Sequence, residues 1–349
     1  MKKRTFAILM AVLTFVVGVG LAQISLIRYS KLRLKTEFNA GNYRISGPYQ
    51  HENLTIFLVH GPDQPGARTF TPLQEAMERN LVIVHETSEV NELAIENVSD
   101  TEEVFVQSGD IVKGGRQDRV LAVDLILPAR SGEIPISAFC VEHGRWTQRG
   151  AEPSALFSAS NQMIATRRLK VATKQDKSQA NVWNEVDAAQ QKLSQGFGYS
   201  VRSELSESSL QLALENKDVS ASATSYIDKL SSIIESHTDV IGFVFAINNK
   251  LNSGDVYSSQ ALFKRFWPRL LKSASIEAVV ERPFNEKNEP VSNKSAAEFL
   301  IASERGVETT TEVTKRTHMF NRNTEKSLFF ETRDMAHDSS WIHRNYLLK

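Results

Sequence analysis

The sequence holds one cysteine, Cys140, so no disulfide can form within the chain and its core must stabilise it unaided. It has no net charge, since 41 Lys and Arg balance 41 Asp and Glu. That balance excludes bulk electrostatic binding to nucleic acid or an anionic membrane and leaves only local basic patches. No His-x-x-x-His pair and no clustered carboxylate motif occurs, so neither a metal nor any other cofactor is expected. Gly114-Gly115 fits no glycine-rich phosphate loop. Strands and helices do not alternate regularly enough for a doubly wound nucleotide fold. Internal repeats and low-complexity tracts are missing as well. What remains is an ordinary globular composition over 349 residues, enough for one large domain or two smaller ones.

The N-terminus reads as a targeting segment. Lys2-Lys3-Arg4 is a basic head, Phe6 to Leu21 is an uncharged apolar run, and Gly20-Leu21-Ala22 offers the small residues that a signal peptidase reads. Residues 1–22 are therefore expected to be a signal peptide cut after Ala22, followed by a linker over 23–42. The rival reading keeps residues 5–22 as an anchor in the inner membrane, which is the one membrane contact expected. Either way the body is exported, to the periplasm or beyond. The lack of disulfides fits a bacterial periplasm better than a eukaryotic secretory route, the only case in which the sequons at Asn53, Asn97 and Asn293 would matter.

The rest, 43–349, is expected to form a single domain with a possible helical subdivision over 154–238. Leu54 to Val59 reads as a strand, Thr71 to Arg79 as a short helix capped by Thr71, and Leu81–Glu86, Glu92–Asn97 and Glu103–Gln107 as further strands. Ser160 to Val171, Ala180 to Ser194 and Ser220 to Thr238 have helical character, with Lys174–Gln179 and Gly196–Glu207 as mobile connections. Val240 to Ile247 is apolar enough for a strand buried on both faces. Ser258 to Ser273 reads as a helix that Pro268 should kink, and strand-like alternation returns at Thr309–Met319, Ser327–Thr332 and Trp341–Leu347. Strands, then helices, then strands predict an α+β fold with an antiparallel sheet or sandwich core and a helical middle segment.

The densest polar cluster lies between Gly109 and Trp146, where two apolar runs each abut a turn loaded with arginine, carboxylate and glycine. Arg116, Arg119 and Arg145 offer planar, permanently charged donors for phosphate or carboxylate. Gly114 and Gly115 would let backbone N–H groups approach the same anion, Gln117 would orient it, and Trp146 could stack an aromatic base or a sugar face. Glu142 or Asp118 would act as the base, since a carboxylate beside arginines stays ionised. The alternative pairs the arginines with Asp110, Asp118, Asp124 and Glu142 in structural salt bridges. Cys140 beside His143 invites a thiol nucleophile, but Cys140 lies on one alternating face of an apolar strand, as buried cysteines do. Arg167-Arg168-x-Lys170 forms a second basic cluster, while turn or packing roles suffice for Asp255 and Trp183.

Gly114-Gly115-Arg116-Gln117-Asp118-Arg119, followed by Ile134-Pro135-Ile136 and Cys140-Val141-Glu142-His143-Gly144-Arg145-Trp146, resembles a largely bacterial family of unknown function, the ARG and rhodanese-phosphatase-superfamily-associated protein domain. Supporting matches are Arg167-Arg168-x-Lys170, the Gln179–Val186 stretch around Trp183, and Ile241-Gly242-Phe243-Val244-Phe245 followed by Asp255 and the Trp267 helix. Many members have Gln where this chain has His143, and small residues where it has Ala138-Phe139. The family name implies an association with ADP-ribose or nucleotide metabolism. Two functions stay open. One is a site that binds, or binds and hydrolyses, a small anionic, phosphorylated or ADP-ribose-like ligand. The other is a non-catalytic envelope interaction module in which the same cluster is a buried salt-bridge lattice. Exposed arginine tips in a concavity would mark the first, and burial in carboxylate pairs the second.

Overall fold

The structure, a computed structural model, describes residues 38–87, 89–145, 157–282 and 288–349, with the main chain alone for 161–164. The expected signal or anchor segment and Trp146 lie outside the described residues. Among the described residues no helix is long and apolar enough to cross a membrane.

The fold is α+β, as expected. Its largest element is a nine-stranded antiparallel sheet that joins the two ends of the described chain. The early strands are β1 (Phe38–Ala40), β2 (Tyr43–His51) and β3 (Leu54–His60). The late ones are β13 (Val240–Ile247), β14 (Lys250–Tyr257), β15 (Val307–Glu312), β16 (Thr317–Asn323), β17 (Ser327–Asp334) and β18 (Ser340–Leu348). The order across the sheet is β1-β2-β3-β13-β14-β18-β17-β16-β15. Pleating explains why β3 and β13 are buried throughout: successive side chains leave on opposite faces. Leu54, Ile56, Leu58, Phe243 and Phe245 enter one core, whereas Phe57, Val59, Ile241 and Val244 enter another.

Between these strands lies a second sheet system. Strands β5 (Val82–Glu86), β6 (Glu92–Asn97), β8 (Asp110–Gly114), β9 (Arg119–Leu121), β11 (Glu133–Cys140) and β12 (Phe157–Ile164) form an antiparallel sheet ordered β12-β8-β9-β11-β6-β5. Its outer strands β12 and β5 contact each other, so the sheet curls almost into a barrel. A three-stranded sheet of β4 (Thr71–Pro72), β7 (Val104–Val106) and β10 (Leu125–Leu127) shares its core of Val84, Leu93, Ile95, Val106, Val112 and Leu121.

The helices are α1 (Leu73–Glu78), α2 (Arg167–Val171), α3 (Gln179–Phe197), α4 (Leu210–Leu214), α5 (Lys217–Leu230), α6 (Gln260–Val280) and α7 (Asn293–Ser303). Helix α6 carries Phe263, Phe266, Trp267, Leu270 and Leu271 onto the first face of the large sheet, and α7 covers the other with Phe299 and Leu300.

Several sequence expectations shift for identifiable reasons. Ser160 to Ile164, read as helix, belongs to β12, which pairs with β8 at Phe157–Ala159 and again at Ile164 on either side of an irregularity. The helix starts only after Thr166, whose hydroxyl accepts the Leu169 N–H at 3.4 Å. Thr71 does not cap α1, because its hydroxyl donates instead to Glu102 Oε2 at 2.7 Å. The turn-like Asn252-Ser253-Gly254-Asp255 is the middle of β14, held on both sides by β13 and β18. Gly254 suits that position, since an added Cβ would lie 3.0 Å from Phe243 O. Lys174, read as part of a mobile connection, is buried in a π-helical turn over Ala172–Asp176.

Candidate functional site

The turn Gly115–Asp118 joins β8 to β9 and faces the end of β11. Gly115 adopts φ +54°, and a Cβ there would stand 2.4 Å from the Phe157 ring and 2.7 Å from Glu86 Oε1. Only glycine lets the turn pass that close. Its amides point at oxygens, as an anion cradle requires. Gly114 N donates to Asp118 Oδ1 at 3.0 Å, Arg116 N to Glu86 Oε1 at 2.8 Å, and Asp118 N to Glu142 Oε2 at 3.2 Å. Carboxylates of the chain itself occupy the positions that a ligand anion would take.

The arginines follow the same pattern. Arg119 is 2 % exposed, donates to Gln117 Oε1 at 3.0 Å and to the Cys140 sulfur, and pairs with Glu86 Oε2 at 3.4 Å. The Arg145 side chain is 8 % exposed; its Nε lies 2.7 Å from Glu142 Oε1 and its Nη2 3.9 Å from Asp118 Oδ1. Arg145 also donates to the carbonyls of Gly115 and Gly114 at 3.2 and 3.3 Å. Asp118 accepts from Ser209 Oγ at 3.2 Å as well. Burial works to raise the Glu142 pKa, but hydrogen bonds from Arg145 and Ser206 outweigh it and hold the carboxyl below its ordinary value. A carboxylate held ionised by donors that already engage its oxygens is a weak base toward a substrate proton. Of the predicted set, the structure brings together Gly114, Gly115, Gln117, Asp118, Arg119, Glu142 and Arg145. Arg116 stands apart, with its side chain exposed to solvent.

Cys140 is fully buried, and burial pushes its thiol pKa up despite the Arg119 guanidinium beside it. The thiolate needed for nucleophilic attack is therefore disfavoured. The Cys140 main chain instead docks a helix. Its N–H donates to Gln179 Oε1 at 2.9 Å, and Gln179 Nε2 returns a bond to Cys140 O at 2.8 Å. Gln179 is the first residue of α3, so its carboxamide ties that helix to the block. His143 packs edge-on to Trp183 with ring centroids 4.4 Å apart. Arg167 and Arg168 do not join the block: Arg167 reaches Leu348 O at 2.6 Å, and Arg168 stays exposed beside Glu185.

The remaining block carboxylates take partners that the sequence did not suggest. Asp110 pairs with Arg269 of α6 at 2.9 Å. Asp124 accepts from Ser108 N at 2.7 Å and Thr332 Oγ1 at 2.6 Å, and lies 2.8 Å from His343 Nδ1. His343 Nε2 in turn lies 3.0 Å from Asp255 Oδ1, which also accepts from Asn345 at 2.9 Å and Gln107 at 3.3 Å. Desolvation opposes protonation of His343, but its two carboxylate partners win and raise its pKa. Burial would raise both carboxyls, but the His343 ring outweighs it at Asp124, and Lys170 together with that ring outweighs it at Asp255, so both are lowered. The result is a buried Asp–His⁺–Asp relay between the large sheet and the loops of the second sheet system. Beside it, desolvation lowers the Lys174 pKa to about 8.

Among the described residues two groups gather possible metal-ligand atoms within 4.8 Å of one another: His60, His237 and Asp239, and His85, Glu96 and Glu133. Sequence spacing gave no sign of either. No curated protein and no solved structure gives a significant match to the chain. Residues 42–347 match the family model of the ARG and rhodanese-phosphatase-superfamily-associated protein domain, and the chain belongs to that family.

Proposed function

We propose that the arginine block is a polar lattice that fixes a turn, a strand end and a helix in one geometry, and that this exported chain serves as an interaction module of the cell envelope. One observation carries the reading: Glu86, Asp118 and Glu142 already fill the anion positions made by the turn amides and by Arg119 and Arg145. A phosphorylated or ADP-ribose-like ligand would have to expel ionised carboxylates from a buried site, which costs several kcal/mol per unpaired charge.

The test is thermal denaturation of the chain starting at Gln23, with and without phosphate, sugar phosphates, nucleotides and ADP-ribose. The expected outcome is no stabilisation by any of them, together with a loss of about 3 kcal/mol in Arg145→Ala, which leaves Glu142 buried without its guanidinium. An anion that stabilises the wild type by the roughly 2.7 kcal/mol expected at one hundred times its Kd, and not Arg145→Ala, would overturn the lattice reading.

A further inference from the structure

A separate constellation lies at the ends of three neighbouring strands, remote from the arginine block in sequence. His60 closes β3 and pairs in register with Arg44 of β2 on one side and Val240 of β13 on the other. Ser46, two residues beyond Arg44, lies on the same face of β2, just before the Gly47-Pro48 bulge. Asp239 immediately precedes β13. These positions bring Ser46 Oγ to 2.6 Å from His60 Nε2, and His60 Nδ1 to 2.8 Å from Asp239 Oδ1. Asp239 Oδ2 accepts from Arg44 at 2.7 Å.

The donor pattern follows from the chemistry of the groups. An ionised carboxylate only accepts, so the proton of the neutral ring sits on Nδ1, and Nε2 carries a lone pair. The Ser46 hydroxyl is then the donor to Nε2. That is the arrangement in which a serine can lose its proton as it attacks a carbonyl carbon.

We propose that Ser46, His60 and Asp239 form a hydrolytic relay for esters with a short acyl group, an activity additional to the interaction role and independent of it. Ser46 Oγ bonds to the ester carbonyl carbon while its proton passes to His60 Nε2. The carbonyl π electrons move to oxygen and return as the bond to the alcohol breaks, and the alcohol leaves with the proton from Nε2. Water then repeats both steps on the acyl-serine, giving the free acid and restoring Ser46. Asp239 is the positioning residue that fixes the ring and its tautomer. The preference for a short acyl group follows from access: Ser46 is 7 % exposed and His60 1 %.

The same histidine belongs to the group that could hold a metal ion, with His237 and Asp239. The bonds present favour the relay. Both nitrogens of His60 are engaged, His237 Nε2 lies 3.2 Å from Tyr49 OH, and Asp239 is already neutralised by Arg44. A cation would have to break these contacts, whereas the relay leaves each of them in place. The charged and titratable groups facing His60 are Arg44 from β2 and His237 and Asp239 from the turn before β13. Burial holds the imidazole below its ordinary pKa against the pull of Asp239, so the neutral ring prevails at neutral pH.

The experiment treats the chain with a small fluorophosphonate, locates the adduct by mass spectrometry, and follows hydrolysis of p-nitrophenyl acetate. The expected result is one adduct, on Ser46, and turnover that disappears in Ser46→Ala. The rate should fall on acidification with a midpoint below about 6.5. Asp239→Asn should lower kcat by about a thousandfold or more and displace that acid limb, which a purely structural aspartate would not do. Should a variant not fold, the position of the adduct on the wild-type chain still decides. A folded wild type that takes no label at Ser46 would overturn the proposal, as would turnover unchanged in Ser46→Ala. So would activity that a chelator abolishes and zinc restores, which would assign the cluster to a metal.

Discussion

The arginine block and the His343 relay are both buried polar networks, yet they differ in the kind of cation at their centre. In the block, Arg119 and Arg145 are guanidiniums that stay charged at every pH a protein survives. In the relay, the charge belongs to an imidazole, which can give it up. Most ties of the block join residues near in the chain, with Asp118 and Glu142 24 residues apart, and its longest reaches 91 residues, from Ser209 to Asp118. The relay joins Asp124 to a histidine 219 residues away and so fastens the second sheet system to the large sheet. A permanent charge serves as a fixed brace. A titrating one makes the joint between sheets responsive to pH.

The largest effect should come from removing that central charge. His343→Ala leaves Asp124 and Asp255 buried and facing a void, with Ser108 N, Thr332, Asn345 and Gln107 still donating to them. Breaking a buried ion pair by deleting one partner costs about 3–5 kcal/mol. Urea denaturation at neutral pH should therefore show a loss of that order, at least as large as in Arg145→Ala. A loss under about 1 kcal/mol would mean that the two sheets do not depend on the relay.

The two networks should also differ in their response to pH. The folded-state pKa of His343 is raised, so its contribution is fully present below the unfolded value of about 6.5 and is lost as pH rises through the folded value. Asp124 and Asp255 are lowered, so theirs is present above about 3.9 and is lost as pH falls through their folded values. The stability difference between wild type and His343→Gln should thus be greatest between roughly pH 4 and 6.5 and shrink on either side. On the alkaline side the difference between wild type and Arg145→Ala should stay flat, because a guanidinium keeps its charge there and Glu142 is held below its ordinary value. Denaturation of both variants across pH 4 to 9 checks this. Parallel profiles would show that the imidazole carries no more pH sensitivity than the guanidinium.

Local pattern made much of the fold legible. Strands β3 and β13, the Phe263–Leu271 face of α6 and the β5–β6 pair all follow from runs of apolar or alternating residues. So does the block, where glycine, arginine and carboxylate crowd into one stretch and most of their partners lie in that stretch. What stayed hidden depends on distant pairing. Glu86 lies 30 residues before the amide it accepts from, and nothing in its own neighbourhood sets it apart. Asp255 looks like a turn residue until β13 and β18 flank it. Ser46, His60 and Asp239 sit in unremarkable contexts, and strand order alone brings them together. The arginines were visible as anion binders, but whether their anion is a ligand or a glutamate of the same chain is a tertiary fact.

The smallest predicted effect concerns Gln179, which decides whether the block is a lattice in three dimensions or a self-contained turn. Its carboxamide exchanges a bond in each direction with the Cys140 main chain, as a neighbouring strand would. Gln179→Ala should leave a half-buried N–H and C=O to find water, at a cost of about 1–2 kcal/mol. A lattice predicts a further consequence, because α3 would lose its hold on the strand that carries Cys140 and brings Arg119 into place. The buried thiol should then react faster with a disulfide reagent in folded Gln179→Ala than in wild type, where it should react only on unfolding. An unchanged thiol rate alongside the same loss of stability would confine Gln179 to docking its own helix and reduce the lattice to the turn and its arginines.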